Sequence, residues 1–288
     1  MNFLTILFFM LIGGFSIDQA NALQASDIRE SSSQTKDKNQ CAHIEAIIFD
    51  CDGTLIDNGI GYFLDWQHAL RCQGHELNAD EFWDFMNKNG LVGAPGADAI
   101  IVKYCSDLVG RECADEILKD KKAFSAKLHE AYEFPAIEPT VNFLHALGRE
   151  KENLGLKLGL ASANTKENIL RVLKRLDVDQ YFDVIVSADD LTKYNDPEGV
   201  NKPKPYIYLQ AAKLLGLHPG QCVAIEDSRT GVSSAVSAGY IAVAIPNAYT
   251  AQQDLSHAHL KVISFVDMIP TDFLQIIADF KISMKSID

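Results

Sequence analysis

Short apolar runs that end in a polar residue recur along this chain, and they constrain its fold more than any other feature. The first run, residues 44–50, hardly alternates between apolar and polar side chains, as expected of a strand buried on both faces. Segments with helical periodicity separate the later runs, including one that follows the possible caps Asn164 and Thr165. Alternating strands and helices predict an α/β fold with a doubly wound, Rossmann-like parallel sheet. The other predicted strands are residues 156–162, 182–189, 221–228, 240–246 and 261–265.

Residues 58–137 interrupt this alternation, because their apolar side chains recur at helical spacing and no run is typical of a strand. Asn78 and Glu81 resemble a capping box, and Pro135 and Pro139 should end this segment and restart a core helix. We interpret the apolar stripes as ordinary helix-bundle core. The predicted domains are an α/β core of residues 41–57 and 138–288 and an inserted α-helical domain of residues 58–137.

The amino-terminal residues are typical of a targeting signal. Residues 3–15 are apolar and uncharged, and Ala20–Ala22 form an A-x-A pattern, so residues 1–22 are predicted to be a signal peptide cleaved after Ala22. Residues 23–40 are polar and rich in serine, which predicts a flexible leader. The mature protein would be periplasmic or secreted, with no stable membrane span. An uncleaved membrane anchor or a buried helix in a cytoplasmic protein is the alternative.

Composition argues against two classes of function. The chain has 26 Lys and Arg against 39 Asp and Glu, a net charge of −13 that repels nucleic acids and anionic lipid surfaces. Its six cysteines lack the paired spacing of a zinc site and suit the role of small buried apolar residues. The sequence leaves their disulfide state and the oligomeric state open.

Acidic residues end two of the predicted strands. Asp50 and Asp52 follow the first strand at positions i and i+2, which point to the same side of an extended chain. Glu226 and Asp227 end a second strand, and the carboxyl ends of parallel strands gather along one edge of the sheet. Four carboxylates would repel one another there, so we expect a cation with hard oxygen ligands, Mg²⁺. Asp227 has a second possible role as a helix cap.

A serine and a lysine are candidates for binding an anion beside these acids. Ser162 ends a predicted strand just before a helix, where a hydroxyl and free backbone N–H groups form an anion site. Lys202 follows in a loop that Pro203 and Pro205 should hold extended, and a cation is needed to bring a phosphate dianion near a carboxylate. Lys204 is the alternative to Lys202.

These residues resemble the motifs of the haloacid dehalogenase superfamily, in its phosphatase branch with a helical cap inserted after the first motif. The resemblance covers about residues 44–250 and is nearest to the hydrolases similar to phosphoglycolate phosphatase and β-phosphoglucomutase. Dehalogenases of the superfamily lack the second aspartate of the first motif, so Asp52 points to phosphoryl transfer. The four motifs are represented by Asp50 to Leu55, Ser162 in LASAN, Lys202 in NKPKP, and Glu226 and Asp227 in AIEDS.

The resemblance implies a Mg²⁺-dependent phosphatase that hydrolyses a small phosphorylated metabolite through an aspartyl phosphate. The implied roles are nucleophile for Asp50, acid and base for Asp52, and phosphate binding for Ser162 and Lys202. The implied metal ligands are Asp50, the backbone carbonyl of Asp52, Glu226 and Asp227.

Two other functions stay open at this point. One is a sugar-phosphate mutase resembling β-phosphoglucomutase, although Tyr62 stands where that group carries a cap histidine. The loop 90–100 resembles the specificity loop of the cap but offers no basic residue before Lys103, so the substrate is left open. The other is a binding protein that keeps the fold without catalysis.

Overall fold

The computed structural model describes residues 43–89, 94–105, 111–196 and 199–285. The predicted signal peptide and leader lie outside these residues, as does the beginning of the predicted loop 90–100. Within the described part of the chain, no helix combines the length and the apolar character needed to cross a membrane.

The centre of the protein is a six-stranded parallel sheet with the strand order β3-β2-β1-β4-β5-β6. This arrangement confirms the predicted doubly wound α/β fold, because the chain winds outward from β1 in both directions. The last strand is only two residues long, since this edge strand pairs with β5 at two positions, and it begins before the predicted range 261–265. The strands are β1 (Ala46–Phe49), β2 (Lys157–Ala161), β3 (Val184–Val186), β4 (Cys222–Glu226), β5 (Ile241–Ala244) and β6 (Leu260–Lys261).

Helices connect and cover these strands. All regular secondary structure described between residues 59 and 131 is helical, and we call this stretch the helical segment. It contains α1 (Gly59–Cys72), α2 (Ala79–Asn89), α3 (Ala94–Tyr104) and α4 (Arg111–Ala131). The remaining helices are α5 (Glu138–Leu154), α6 (Lys166–Arg175), α7 (Tyr206–Leu215), α8 (Arg229–Ser237) and α9 (Pro270–Lys285).

Local signals in the sequence set several helix ends. The Thr165 side chain accepts the N–H of Asn168 at the start of α6, and Asn78 accepts the N–H of Glu81 at the start of α2. α5 carries a proline in its first turn and ends at Gly155, whose φ of 65° is the left-handed conformation that favours glycine at a helix end. These caps agree with the sequence patterns.

Successive residues of β1 enter two hydrophobic clusters, one on each face of the sheet. Ile47 and Phe49 pack in the cluster that includes residues of α5, α6 and α9. Ala46 and Ile48 pack in the cluster that includes residues of α7 and α8. Because both faces are covered, the strand has no polar side, and this explains the poor alternation in its sequence. A third cluster, within the helical segment, is built around Trp66 and other apolar residues of α1, α2, α3 and α4.

We predict that Gly148 of α5 is required for contact with Tyr181. A Cβ atom at this position would lie 2.2 Å from the Tyr181 ring, so Gly148→Ala should lower the free energy of unfolding by about 1–3 kcal/mol through overpacking. In a Tyr181→Ala background the same change should instead raise it by about 0.5–1 kcal/mol, because only the gain in helix propensity remains. Denaturant unfolding of the four proteins measures both effects, and an equal effect in the two backgrounds would contradict the assignment.

Candidate active site

The register of the central strands brings the predicted site residues to one edge of the sheet. Phe49 of β1 pairs with Leu160 of β2 and with Ile225 of β4. The next residue, Asp50, donates its backbone N–H to the Ile225 carbonyl at 3.0 Å. Asp50 and Glu226 therefore leave the sheet side by side, with Ser162 directly after the end of β2.

Three buried carboxylates form the centre of this edge. Asp50, Glu226 and Asp227 each offer a carboxylate oxygen, these oxygens lie within 4.8 Å of one another, and we call the three residues the acid cluster. The Nζ atom of Lys202 donates to Asp50 Oδ1 and to Glu226 Oε1, both at 2.6 Å. One ammonium group cannot neutralise three ionised carboxylates, so the arrangement leaves an excess of two negative charges.

The excess charge is visible in the acid–base properties of the cluster. Burial raises the pKa of Asp50 to about 8, since the favourable effect of Lys202 does not offset desolvation together with the neighbouring acids. Burial also raises the pKa of Asp227, and the charges of Asp50 and Glu226 raise it further. Burial alone would lower the pKa of Lys202, but the Asp50 and Glu226 carboxylates raise it above its ordinary value. The cluster therefore favours an additional positive charge.

The donor set of the acid cluster fits a magnesium ion. Oε1 of Glu226 accepts from Lys202 and from the hydroxyl of Tyr208, the latter at 2.6 Å. Oε2 of Glu226 is buried, and no described residue is its hydrogen-bond partner. A buried carboxylate oxygen without a partner is costly, and hard oxygen ligands are those that Mg²⁺ prefers. These three acids are the residues of the described chain that could hold the ion.

The Asp52 carboxylate lies apart from the acid cluster and has its own hydrogen-bond donors. Its Oδ1 accepts from Asn58 at 2.7 Å, and its Oδ2 accepts from the Ser162 hydroxyl at 3.1 Å and from Asn164 at 3.4 Å. Any metal contact from Asp52 would thus come from its backbone, as the resemblance implies. No sequence pattern indicated the contact of Asn58, and the pattern around Asn164 predicted only a helix cap.

Lys202, and not Lys204, is the lysine at the acid cluster. Its Nζ also donates to the Ala161 carbonyl at 3.1 Å. The Nζ of Lys204 instead lies 3.5 Å from Oδ2 of Asp196. The expectation of an extended loop is wrong, because the Lys204 N–H donates to the Asn201 carbonyl and closes a turn. Proline fixes φ but permits helical as well as extended ψ values, and the ψ of Pro205 is −6°.

Asp227 belongs to the acid cluster and does not cap α8. The cap is Ser228, whose hydroxyl accepts the N–H of Gly231 at 3.2 Å. Asn247, which sequence analysis missed, donates to Asp227 Oδ2 at 2.9 Å and to the Gly53 carbonyl at 3.0 Å. A Cβ atom on Gly53 would lie 2.4 Å from Asp227, and Gly53 has a φ of 86°, so only glycine suits this turn.

A cavity of about 470 Å³ lies between the strand ends and the helical segment. The acid cluster, Asp52 and Lys202 line it from the sheet. The expectation that the apolar stripes are only bundle core is incomplete, because aromatic residues of α1 and α2 also line the cavity. The lining residues of the helical segment include Tyr62, Trp66, Trp83, Lys121 and Lys122.

The arrangement of acids at the strand ends agrees with a family assignment. A model of haloacid dehalogenase-like hydrolases matches residues 44–239, which is more than half of the chain. The chain belongs to the haloacid dehalogenase-like hydrolase family. The resemblance identified from the four sequence motifs is confirmed, and the protein is an enzyme of the hydrolase class.

Relatives of this haloacid dehalogenase-like hydrolase include phosphatases and a mutase. It is 30% identical over 197 residues to a phosphorylated carbohydrates phosphatase of Thermotoga maritima, with 68% of this chain and 82% of the relative covered. It is 26% identical over 254 residues to a phosphoglycolate phosphatase of Salmonella paratyphi A, with 81% of this chain and 94% of the relative covered. The crystal structure of β-phosphoglucomutase from Clostridium difficile has a TM-score of 0.63 at 25% identity, covering 83% of this chain and 99% of that one.

We predict that the metal-free hydrolase loses stability as the pH rises from about 4 to about 8. The pKa of Asp50 rises from 3.8 to about 8 on folding, so within this window the folded protein holds a proton that the unfolded chain releases. The free energy of unfolding must then fall with increasing pH. Thermal unfolding in excess chelator across this range measures the effect.

The Asp50→Asn variant should show a weaker pH dependence, and the matched variant Asp84→Asn should show the parent dependence because Asp84 is exposed on α2. Added Mg²⁺ should also weaken the dependence. A free energy of unfolding that stays flat with pH, or that falls with pH as strongly in Asp50→Asn as in the parent, would argue against an uncompensated acid cluster.

Proposed function

We propose that the protein is a Mg²⁺-dependent phosphatase that hydrolyses a small phosphorylated metabolite through an aspartyl phosphate. The observation that carries this proposal is the acid cluster beside Asp52, in one cavity, with Lys202 as the cation in contact with it. The relatives named above add support, since one acts on phosphorylated carbohydrates and one on phosphoglycolate.

In this proposal the acid cluster holds Mg²⁺ together with the backbone carbonyl of Asp52. The bound ion supplies positive charge that offsets the negative charge of the substrate phosphoryl group. The Ser162 hydroxyl and the Lys202 ammonium group bind the oxygens of the same phosphoryl group. Together these groups allow a dianion to approach a carboxylate nucleophile.

Asp50 acts as the nucleophile. Its Oδ1 is engaged by Lys202, and its carboxylate attacks phosphorus in line with the departing oxygen. The bond from Asp50 to phosphorus forms as the bond from phosphorus to the leaving alcohol breaks. The product of this first step is an aspartyl phosphate and an alcohol.

Asp52 moves the proton in both steps. In its acid form it donates a proton to the departing alcohol oxygen, and it then takes a proton from the water that attacks phosphorus and releases Asp50. Its contacts with Asn58, Ser162 and Asn164 hold the carboxyl group at the cavity. Asp52 and Asp50 thus have different hydrogen-bond partners, which suits their different roles as acid–base group and nucleophile.

The helical segment acts as a cap over this site in our proposal, with the domain limits 58–137 taken from the sequence. Trp83 of α2 and Tyr249 of the core lie with ring centroids 4.6 Å apart, so the two parts meet beside the cavity. Such a cover excludes bulk water and selects the leaving group.

A sugar-phosphate mutase is the second candidate, favoured by the similarity to β-phosphoglucomutase. Tyr62 lines the cavity, where the resemblance places a histidine in that group. A mutase would require a sugar bisphosphate for activity, whereas a phosphatase would release inorganic phosphate without one. A binding protein without catalysis would bind Mg²⁺ and a phosphate mimic but release no phosphate.

Export from the cytoplasm is part of the same proposal and rests on the sequence of residues 1–22 alone. Amino-terminal sequencing of the protein purified from its host distinguishes a chain that begins at Leu23 from an uncleaved chain that begins at Met1.

We predict that Asp50→Asn reduces hydrolysis of a generic phosphomonoester to background, because an amide is not a nucleophile toward phosphorus. Asp52→Asn should reduce kcat by about 10²–10⁴-fold, the usual contribution of an acid–base group. Asp84→Asn is the control for an aspartate outside the site and should keep the parent rate. Parent activity in Asp50→Asn would show that the nucleophile assignment is wrong.

Chelation of divalent cations should silence the enzyme, and Mg²⁺ added back should restore it, because the acid cluster is otherwise uncompensated. Phosphate release in excess chelator and after titration with MgCl₂ measures this. Full activity in the chelator would exclude a required metal.

A further inference from the structure

The cavity has charges of opposite sign on its two sides. Among the residues that line it, the acidic side chains all come from strand ends of the core. The helical segment contributes two lysines, Lys121 and Lys122 of α4, and no described acid of that segment lines the cavity. These lysines lie well beyond the loop 90–100, in which the sequence offered no basic residue.

Lys121 is held by the protein rather than extended into solvent. Its side chain is 17% exposed, and its Nζ lies 3.5 Å from Oδ2 of Asp65 in α1. The same Nζ lies 5.1 Å from the ring centroid of Tyr62 and 5.3 Å from that of Trp66. An ammonium group has three donors, and Asp65 can engage only part of them. The pair therefore fixes a cation at the cavity with donors left for a ligand.

Trp66 provides an independent observation at the same wall. It is fully buried, it lines the cavity, and no described residue accepts a hydrogen bond from its indole Nε1. A buried N–H group without an acceptor is costly. A ligand oxygen that reached this N–H group would supply the missing acceptor.

We propose that Lys121, with Trp66 and Lys122, binds a second negatively charged group carried by the leaving alcohol of the substrate. The proposal rests on the phosphatase function proposed above and narrows its substrate class to phosphomonoesters with a further carboxylate or phosphate. The phosphoryl group that is cleaved lies at the acid cluster, and the second anion lies at the helical segment.

The electrostatics favour an anion over a neutral polyol at this wall. Asp65 balances the charge of Lys121, but Lys122 adds a second positive charge to the same side of the cavity. Withdrawing a lysine from water is costly, and only a negatively charged ligand offsets that cost beyond what Asp65 provides. A hydroxyl group would accept one hydrogen bond and leave the charge unbalanced.

Carboxylate and phosphate have the same recognition chemistry here, so the experiment separates them with two pairs of substrates. In the first pair, 3-phosphoglycerate has a carboxylate where glycerol 3-phosphate has a neutral hydroxymethyl group. The second pair, propane-1,3-diol bisphosphate and propane-1,3-diol monophosphate, differs in a phosphate. The full protein with Mg²⁺ should show a kcat/KM about tenfold or more higher for the doubly anionic member of at least one pair.

Lys121→Gln should reduce this preference by about tenfold to a hundredfold, chiefly through KM, because a charge-assisted hydrogen bond is lost. Trp66→Phe replaces the indole with a phenyl ring, which removes the N–H donor, and should reduce the preference by a smaller factor. Lys103→Gln is the matched control. Lys103 also belongs to the helical segment and lies over the rings of Phe85 and Tyr104, but it does not line the cavity.

Equal kcat/KM within both pairs would overturn the proposal, as would a preference for the singly anionic esters. A preference that Lys121→Gln and Trp66→Phe leave unchanged, or that Lys103→Gln reduces equally, would overturn it as well. If none of the four esters and no generic phosphomonoester is hydrolysed, the phosphatase function itself fails and the substrate proposal fails with it.

Discussion

The contact of Lys202 with two buried carboxylates is the interaction on which the rest of the site depends. Asp50 and Glu226 emerge from neighbouring parallel strands and would repel each other in a dry environment. A single ammonium group 2.6 Å from each of them holds the pair together. Asp227 then completes a cluster that lacks two further positive charges when all three acids are ionised. That deficit, and no single residue, is what makes the edge of the sheet a candidate site for a metal ion and a phosphate group.

The sequence predicted the sheet and the acids well because both follow from local patterns. The apolar composition of a run such as residues 44–50 predicts a strand that is buried on both faces. Because such strands pair in parallel, the residues that follow them lie at one edge of the sheet. The amides of Asn58, Asn164 and Asn247 could not be predicted in the same way. Their contacts depend on how loops pack in the folded protein. The sequence around a loop asparagine is the same whether or not its side chain contacts an acid.

The choice between Lys202 and Lys204 shows the same limit. The two lysines flank one proline, and the sequence gives them equivalent surroundings. The turn closed between Asn201 and Lys204 directs only one of them to the strand ends. Aromatic residues of the helical segment were misjudged for a related reason, since Trp66 serves both as core and as cavity wall. Hydrophobic periodicity indicates which face of a helix is covered but not what covers it.

The separate cores of the protein allow chemistry and selectivity to change independently. The two clusters that pack on the sheet fix the register of β1 and β4, and hence the distance between Asp50 and Glu226. The helical segment is stabilised by its own cluster, so a residue facing the cavity from α4 can be replaced without loosening the sheet. Substitutions beside the strand ends lack this freedom, because a Cβ atom on Gly231, in the first turn of α8, would overlap the Glu226 carboxylate at the end of β4. We therefore expect variation in substrate to arise in the helical segment, while the strand ends keep the residues that the reaction needs.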